Sequence, residues 1–212
     1  MSSATTTSST STSTSTSTPA SVNLRIVLGG ASGAGKTSLI TRYVSDSFCP
    51  NNIGTVGIDF RVKMLHLGSG QLAKVQLWDT AGQDKYRFIT ANYWRGADGV
   101  VFVFDLTDLE SFHRVESWAE EASKYGQSHM QRILVGSKAD LGYKRAVSFE
   151  QAEQLARRLG MSYYEASSKN ALGVSELFRS VIERAAASKP APQPPLPALK
   201  EKKALFKFCT IL

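Results

Sequence analysis

The amino-acid sequence predicts an α/β fold: a six-stranded, mostly parallel sheet with one antiparallel strand and helices on both faces. Strand-like apolar runs alternate with segments of helical periodicity between about residues 22 and 187, which is typical of parallel sheets covered by helices. A glycine-rich loop follows the first expected strand and precedes the first expected helix. A Gly-Ser-Gly turn at residues 68–70 joins the second and third strands, so we expect that pair to be antiparallel.

The individual elements follow from the hydrophobic pattern. The expected strands are short apolar or alternating runs: Leu24–Leu28, Asp59–Leu67, Ala73–Trp78, Gly99–Phe104, Arg132–Val135 and Ser162–Glu165. The expected helices carry apolar residues at three- and four-residue spacing: Lys36–Tyr43, a piece near Tyr86–Trp94, Glu110–Tyr125, Ser148–Leu159 and Gly173–Ala187. Ser148 and Gln151 form a capping box that begins the fourth helix. In such folds, ligands bind at the carboxyl ends of the strands.

The glycine-rich loop runs from Gly30 to Thr37, reads GASGAGKT and matches G-x-x-x-x-G-K-[ST]. Its backbone N–H groups would cradle phosphate oxygens, Lys36 adds a positive charge, and the Thr37 hydroxyl can ligate Mg²⁺. The alternative is a plain glycine turn, which the flanking strand and helix disfavour. We therefore expect a P-loop NTPase fold. The expected phosphate-binding residues are Ser32, Gly33, Ala34, Gly35, Lys36, Thr37 and Ser38.

A second motif ends the third strand, where residues 78–83 read WDTAGQ. Asp79 can hold the water shell of Mg²⁺ and is a second metal-site residue, Gly82 lets a backbone N–H approach a γ-phosphate, and Gln83 can orient an attacking water. The D-x-x-G pattern alone usually indicates only a turn. It gains weight because it lies at a strand end, some forty residues after the glycine-rich loop.

With these motifs the chain resembles a Ras-superfamily small GTPase, and within that superfamily a Rab, over about residues 22–187. Residues 55–60 (TVGIDF) resemble the Rab effector region, and residues 74–79 (KVQLWD) resemble the run into the second switch. Residues 93–97 (YWRGA) resemble a Y-Y-R-G-A segment with tryptophan in place of the second tyrosine. Residues 102–107 (FVFDLT) also fit the family.

The resemblance implies roles for residues outside the glycine-rich loop. Thr55 would bind Mg²⁺ through its hydroxyl and the γ-phosphate through its backbone in the triphosphate state. Phe48 would pack against the guanine. Gln83 and Lys36 would be the catalytic residues, and Thr37, Thr55 and Asp79 the metal-site residues. Phe60, Trp78 and Tyr93 would form the aromatic trio that recognises effectors; ordinary core packing is the alternative for each aromatic.

Base recognition departs from the family pattern. Residues 137–140 read SKAD where the family usually has Asn-Lys-x-Asp. The resemblance implies that Asp140 accepts from the guanine N–H groups and that Lys138 lies over the ring. Ser137 is too short to contact both the base and the phosphate loop as an asparagine amide does. We therefore expect guanine specificity with looser binding than in a typical Rab. The EASSK run at 165–169 resembles the family's third base loop, which adds Ser167, Ser168 and Lys169 to the nucleotide-binding residues.

The ends of the chain differ in composition from its middle. Residues 1–21 are almost entirely Ser and Thr, so we expect a disordered tail with no features of a signal peptide. Residues 189–212 hold five lysines and one glutamate, a net charge of +4; the total of +7 therefore leaves +3 for residues 1–188. Because the excess charge lies mainly in a tail, nucleic-acid binding is not indicated. Two cysteines fit a reducing compartment.

The carboxyl-terminal segment, 188–212, is rich in proline and lysine and ends in Cys209-Thr-Ile-Leu212. This is a C-a-a-X box whose final leucine favours geranylgeranylation of Cys209. One prenyl chain needs a second signal for stable anchoring, which lysines near anionic lipid can supply. Pro190 to Pro197 is expected to be an extended spacer; a ligand for proline-binding domains is the alternative.

We therefore expect a monomeric Rab-like GTPase that cycles between GDP and GTP, with Mg²⁺, on the cytosolic face of an intracellular membrane and in a cytosolic pool. Its partners would be effectors, an exchange factor and a GTPase-activating protein at the switch regions, and a prenyltransferase at the tail. Intrinsic hydrolysis would be slow, on the order of 10⁻⁴ to 10⁻² s⁻¹. The rival interpretations are a non-hydrolysing scaffold and, more distantly, a P-loop ATPase or kinase.

Overall fold

The computed structural model describes residues 21–50, 55, 57–80 and 93–190. They form one six-stranded sheet with the order β2-β3-β1-β4-β5-β6. The strands are β1 (Val22–Gly29), β2 (Ile58–His66), β3 (Leu72–Thr80), β4 (Gly99–Asp105), β5 (Gln131–Ser137) and β6 (Ser162–Glu165). β2 and β3 pair antiparallel, and the other neighbouring strands pair parallel. The predicted sheet is confirmed, including its single antiparallel strand.

The helices agree with the hydrophobic pattern except in the third. The α-helices are α1 (Lys36–Ser45), α2 (Leu109–His113), α3 (Val115–Tyr125), α4 (Phe149–Arg158) and α5 (Val174–Ser188), and a 3-10 helix spans Ala139–Lys144. The helix predicted over 110–125 is two helices that meet at Arg114, whose N–H donates to the carbonyls of both Glu110 and Phe112. This shared donor tightens the chain into a turn there. Of the helix predicted near 86–94, only its last two residues are described.

Helices cover both faces of the sheet, as predicted. On one face, α1 and α5 pack against apolar residues of the inner strands, around Leu39 and Phe178. On the other face, α3 and α4 pack around Trp118 and Leu155. β4 is buried along its whole length because it lies between these two layers. In the described part of the chain, no helix is both long enough and apolar enough to cross a membrane.

The register of the sheet brings the predicted motifs to one edge. Leu28 in β1 lies beside Asp79 in β3, and Asp105 in β4 lies beside Ser137 in β5. β6 ends beside this edge, with Glu165 next to Gly136. Since all these strands except β2 run in the same direction, their carboxyl ends and the loops that follow them meet there.

Candidate active site

A cavity of about 420 Å³ opens at the carboxyl edge of the sheet. Its walls come from the glycine-rich loop, the start of α1, the segment at 48–50, and the loops after β5 and β6. The predicted site residues that line it are Ser32, Gly33, Gly35, Lys36, Thr37, Ser38, Phe48, Thr55, Lys138, Asp140, Ser168 and Lys169. Gly82 and Gln83 lie outside the described residues. The cavity therefore joins the phosphate-binding motif and the expected base-binding motifs in one space.

The glycine-rich loop requires glycine for steric reasons at specific positions. Gly30 has φ +139°, and a Cβ atom there would lie 2.1 Å from the carbonyl oxygen of Val103. Gly35 has φ +90° and begins α1 in the left-handed region, which disfavours residues with a side chain. Both glycines let the backbone pass close to β4 and turn into the helix. The loop thus holds its N–H groups around the space in front of α1.

Lys36 is buried at the floor of this loop. Its ammonium group donates to the carbonyl oxygens of Gly30 at 2.9 Å and Ala31 at 2.8 Å. Burial lowers the pKa of Lys36 to about 8, although the nearby carboxylate of Asp79 acts in the opposite direction. A bound anion beside the ammonium would favour its charged form and raise this pKa again.

Three oxygen-bearing side chains meet next to Lys36. The Thr37 hydroxyl donates to Asp79 Oδ2 at 2.5 Å and lies 2.7 Å from the Thr55 hydroxyl, which donates to the same oxygen at 3.2 Å. Asp79 Oδ1 is buried and has no hydrogen-bond partner among the described residues. Burial raises the pKa of Asp79, while the bonds from the two threonines and the charge of Lys36 oppose this rise. Hydroxyl and carboxylate oxygens around an unsatisfied carboxylate oxygen suit a small, hard divalent cation.

The opposite end of the cavity is built from the loops after β5 and β6. Ser167 donates its hydroxyl hydrogen to Asp140 Oδ1 at 2.6 Å and thereby links the two loops. The ammonium group of Lys138 lies 2.6 Å from Asp105 Oδ2, and its backbone is left-handed with φ 61°. Ser167 therefore acts one contact behind the cavity surface by orienting Asp140.

Ser137 contacts the phosphate loop. The sequence predicts that a serine here is too short to contact both the base and the loop, and the structure shows the contact with the loop. Its side chain is buried, and its hydroxyl donates to the carbonyl oxygen of Ala34 at 2.6 Å. Serine thus keeps a bond to the loop despite its short side chain. The hydroxyl has a single hydrogen, so this donor cannot also serve a base. Ala34 does not line the cavity itself, but its carbonyl oxygen accepts this bond from Ser137.

The aromatic residues expected to recognise effectors form a row in which Trp78 and Tyr93, both partly buried, also pack against the core cluster around Trp118. The rings of Phe60 and Trp78 stack with centroids 5.0 Å apart, and those of Trp78 and Tyr93 are 5.3 Å apart. Phe60 is half exposed, so simple core packing does not explain it. The Arg25 guanidinium lies 4.1 Å from the centroid of the Trp78 ring, a cation–π contact.

The sequence model of the Ras family matches residues 25–187, which include every described part of this site. The chain belongs to the Ras family. It is 41% identical over 170 residues to the Ras-related protein RABD2c of Arabidopsis thaliana, covering 79% of this chain and 84% of that protein. It is 40% identical over 182 residues to the Ras-related protein Rab-1D of Dictyostelium discoideum, covering 84% and 89%. The Ras-related protein RIC1 of Oryza sativa subsp. japonica is 39% identical over 177 residues, covering 82% and 87%.

This membership confirms the predicted class. The protein is a Rab-like small GTPase of the Ras family, which binds guanine nucleotides, hydrolyses GTP and acts in vesicle trafficking. The scaffold and ATPase interpretations are therefore set aside.

Sequence reasoning missed several residues of this Ras-family site. Cys49, Pro50, Thr80 and Leu141 also line the cavity. Thr80 donates its hydroxyl hydrogen to the carbonyl oxygen of Leu28 at 2.7 Å and so ties β3 to β1 directly before the glycine-rich loop. The sequence signal that could have identified Thr80 is its position directly after Asp79. The other three follow predicted site residues in the chain, and no pattern distinguished them.

Proposed function

We propose that the cavity binds GTP and GDP with the phosphates at Lys36 and the guanine between Phe48 and the loops after β5 and β6. The observation that supports this best is that one cavity is lined by both Lys36 and Asp140. A phosphate chain would lie over the N-terminus of α1, where backbone N–H groups and the helix dipole favour negative charge. The Asp140 carboxylate would accept from guanine N–H groups, which adenine does not offer.

We propose Mg²⁺ as the cation that the oxygen cluster would hold. Thr37, Thr55 and Asp79 fit it by chemistry, because Mg²⁺ prefers oxygen ligands and Asp79 Oδ1 is buried without a described partner. When bound, Mg²⁺ would neutralise charge on the phosphates. The chain's own residues would orient the nucleotide: the backbone N–H groups of the loop and the Lys36 ammonium would fix the phosphates, and Ser167 would hold Asp140 in place for the base.

For hydrolysis, we propose that Gln83 orients the attacking water and that Gly82 donates its backbone N–H to the γ-phosphate, as in the relatives that the sequence resembles. Both follow β3 directly in the chain. Lys36 would stabilise negative charge that develops on the transferred phosphoryl group. Turnover would be slow, on the order of 10⁻⁴ to 10⁻² s⁻¹, until a GTPase-activating protein supplies an arginine.

The switch would act through the segments that the γ-phosphate holds. Thr55 and Gly82 would be ordered in the GTP state and released by hydrolysis, so effectors would read the ordered state beside Phe60, Trp78 and Tyr93. The monomeric protein would be prenylated at Cys209 by a prenyltransferase and held on the cytosolic face of an intracellular membrane, with a cytosolic pool. An exchange factor would restore GTP.

Single-turnover hydrolysis tests this proposal. Protein loaded with γ-³²P-labelled GTP should release phosphate only with Mg²⁺ present, at a slow rate, and a hundredfold excess of ATP should not displace the label. Lys36→Ala should reduce nucleotide retention and hydrolysis by about a hundredfold or more. Equal competition by ATP would refute guanine recognition, and Mg²⁺-independent hydrolysis would refute the assigned metal site.

A further inference from the structure

Arg42, in the last turn of α1, contacts the loop expected to hold the base from outside the cavity. Its Nε donates to the carbonyl oxygen of Ser168 at 2.7 Å, and its Nη2 donates to the carbonyl oxygen of Lys169 at 3.2 Å. Its side chain is 15% exposed. Ser168 and Lys169 both line the cavity, so Arg42 fixes two consecutive peptide groups of that wall.

The same guanidinium also holds the turn that leaves α1. Arg42 Nη1 donates to both the backbone oxygen and Oδ1 of Asp46, each at 2.9 Å. Asp46 has φ 48°, a left-handed conformation that carries a cost for a residue with a side chain. Two residues later the chain reaches Phe48, which lines the same cavity as Ser168 and Lys169.

One side chain therefore links the loop after β6, which lines the cavity, to the turn that leads from α1 to Phe48. We infer that Arg42 is a positioning residue for the guanine base and sets the rate at which nucleotide leaves. This inference rests on the proposed nucleotide site. A base packed between Phe48 and the loop at 167–169 can leave only when these walls separate. Arg42 bonds to that loop and to Asp46, two residues before Phe48. Its loss would free the loop after β6 and the turn before Phe48 at once.

The contacts require arginine rather than positive charge in general. The guanidinium presents its donors in a planar fork, and three of its nitrogens reach Asp46, Ser168 and Lys169 together. A lysine ammonium is a single point of charge and cannot span these acceptors. A basic residue near the end of α1 would also interact well with the helix dipole, but lysine would supply that equally. Arg42→Lys therefore distinguishes the two roles: it keeps the positive charge near the helix dipole but loses the bonds that need the planar fork.

The test measures release of a fluorescent GDP analogue from the full-length protein in excess Mg²⁺. Arg42→Ala and Arg42→Lys should each release it about tenfold faster than wild type, because each loses charge-assisted bonds to the loop. Arg157→Ala is the matched control: Arg157 forms an i,i+4 pair with Glu153 on α4 and is 74% exposed, so its release rate should equal that of wild type.

Two further readouts separate positioning of the base from general weakening of the fold. Single-turnover hydrolysis of bound GTP should keep its wild-type rate in both Arg42 variants, because Arg42 contacts neither the phosphate loop nor Asp79 among the described residues. Chelation of Mg²⁺ should accelerate release by the same factor in wild type and variants, since it acts at the phosphate end of the site.

A wild-type release rate in Arg42→Lys would overturn the inference, and so would a parallel loss of hydrolysis. If Arg42→Ala does not fold, Arg42→Lys alone decides, because it keeps the charge at the helix end. Failure of the proposed function has a different signature. Wild-type protein would then bind no guanine nucleotide. If this inference alone fails, wild-type protein still binds guanine nucleotide, and the Arg42 variants release it at the wild-type rate.

Discussion

At the scale of single residues, Lys36 shows how burial prepares a side chain for an anion. Two backbone carbonyls hold its ammonium group in the structure, and burial lowers its pKa to about 8. The charged form is thus disfavoured in the free site and favoured once phosphate is bound. Binding must therefore take up protons near and above pH 8, and this contribution to affinity decreases as the pH rises through that range.

The first prediction is a proton uptake. When nucleotide-free protein is titrated with Mg²⁺-GDP at pH 8, binding should take up about half a proton per nucleotide. About half of the Lys36 side chains are neutral at that pH before the nucleotide binds. Calorimetry in two buffers of different ionisation enthalpy measures this number. Affinity should also decrease about fourfold between pH 7 and 8.5. Absence of proton uptake at pH 8 would show that Lys36 remains charged in the free site.

The second prediction concerns Ser137, whose only hydroxyl hydrogen is used by the carbonyl of Ala34. Ser137 lines the cavity, and Ser137→Asn adds a side-chain amide with further donors there. The substitution should therefore slow GDP release by about tenfold. Ser137→Ala removes the bond to the loop and should speed release. An unchanged rate in Ser137→Asn, measured with a fluorescent GDP analogue, would show that looser binding does not originate at this position.

At the residue scale, the sequence indicates which side chains come together where they belong to spaced motifs, but it does not do so where backbone atoms are the partners. Lys36, Thr37 and Asp79 belong to spaced motifs, and the structure brings them together. Arg42 meets carbonyl groups 126 and 127 residues away in the chain. Every residue has a carbonyl, so no sequence pattern identifies these two as partners. Its role emerges only when the loop after β6 is placed beside α1.

At the scale of elements, the start of α4 shows local sequence determining local structure. Ser148 accepts from the N–H of Gln151, and the Gln151 side chain accepts from the N–H of Ser148, which is the predicted capping box. The break at Arg114 was not predicted, because apolar spacing continues through it. The 3-10 helix after β5 was also missed, since Asp140 and its neighbours had been interpreted only as a binding motif.

The third prediction follows from this cap. Ser148→Ala should lower the free energy of unfolding by about 1 kcal/mol, because a helix N–H loses its acceptor. Ser148→Asp should restore most of that stability, since aspartate is an equally good N-cap. Urea denaturation of the GDP-bound protein measures both. A stability of Ser148→Ala equal to wild type would mean that α4 is held by packing alone.

At the scale of the whole molecule, the cavity and the start of the carboxyl-terminal tail lie at opposite ends of the parallel strands. The cavity lies at their carboxyl ends. Lys189, which follows α5, donates to the carbonyl of Asn23 at 2.6 Å and to Asp98 Oδ2 at 2.9 Å, both at the amino ends of β1 and β4. The tail that ends in Cys209 therefore begins at the edge opposite the cavity.

The mostly parallel sheet, its antiparallel pair and the two helix layers could be predicted because alternating strands and helices allow few arrangements. The domain limits, the tails and the roles of Gly82, Gln83 and Cys209 stay predictions, since these residues lie outside the described part of the chain or are not tested by it. The size of the cavity could not be predicted, because it depends on how the loops after β5 and β6 approach Phe48. Arg42 contributes to this placement by bonding to the loop after β6.

The central claim is that this cavity holds a guanine nucleotide. The most direct test is to purify the full-length protein in Mg²⁺, denature it, and identify the released nucleotide by chromatography. The account predicts GDP or GTP in stoichiometric amount with the folded protein. An adenine nucleotide, or an empty site in protein shown to be folded, would contradict it.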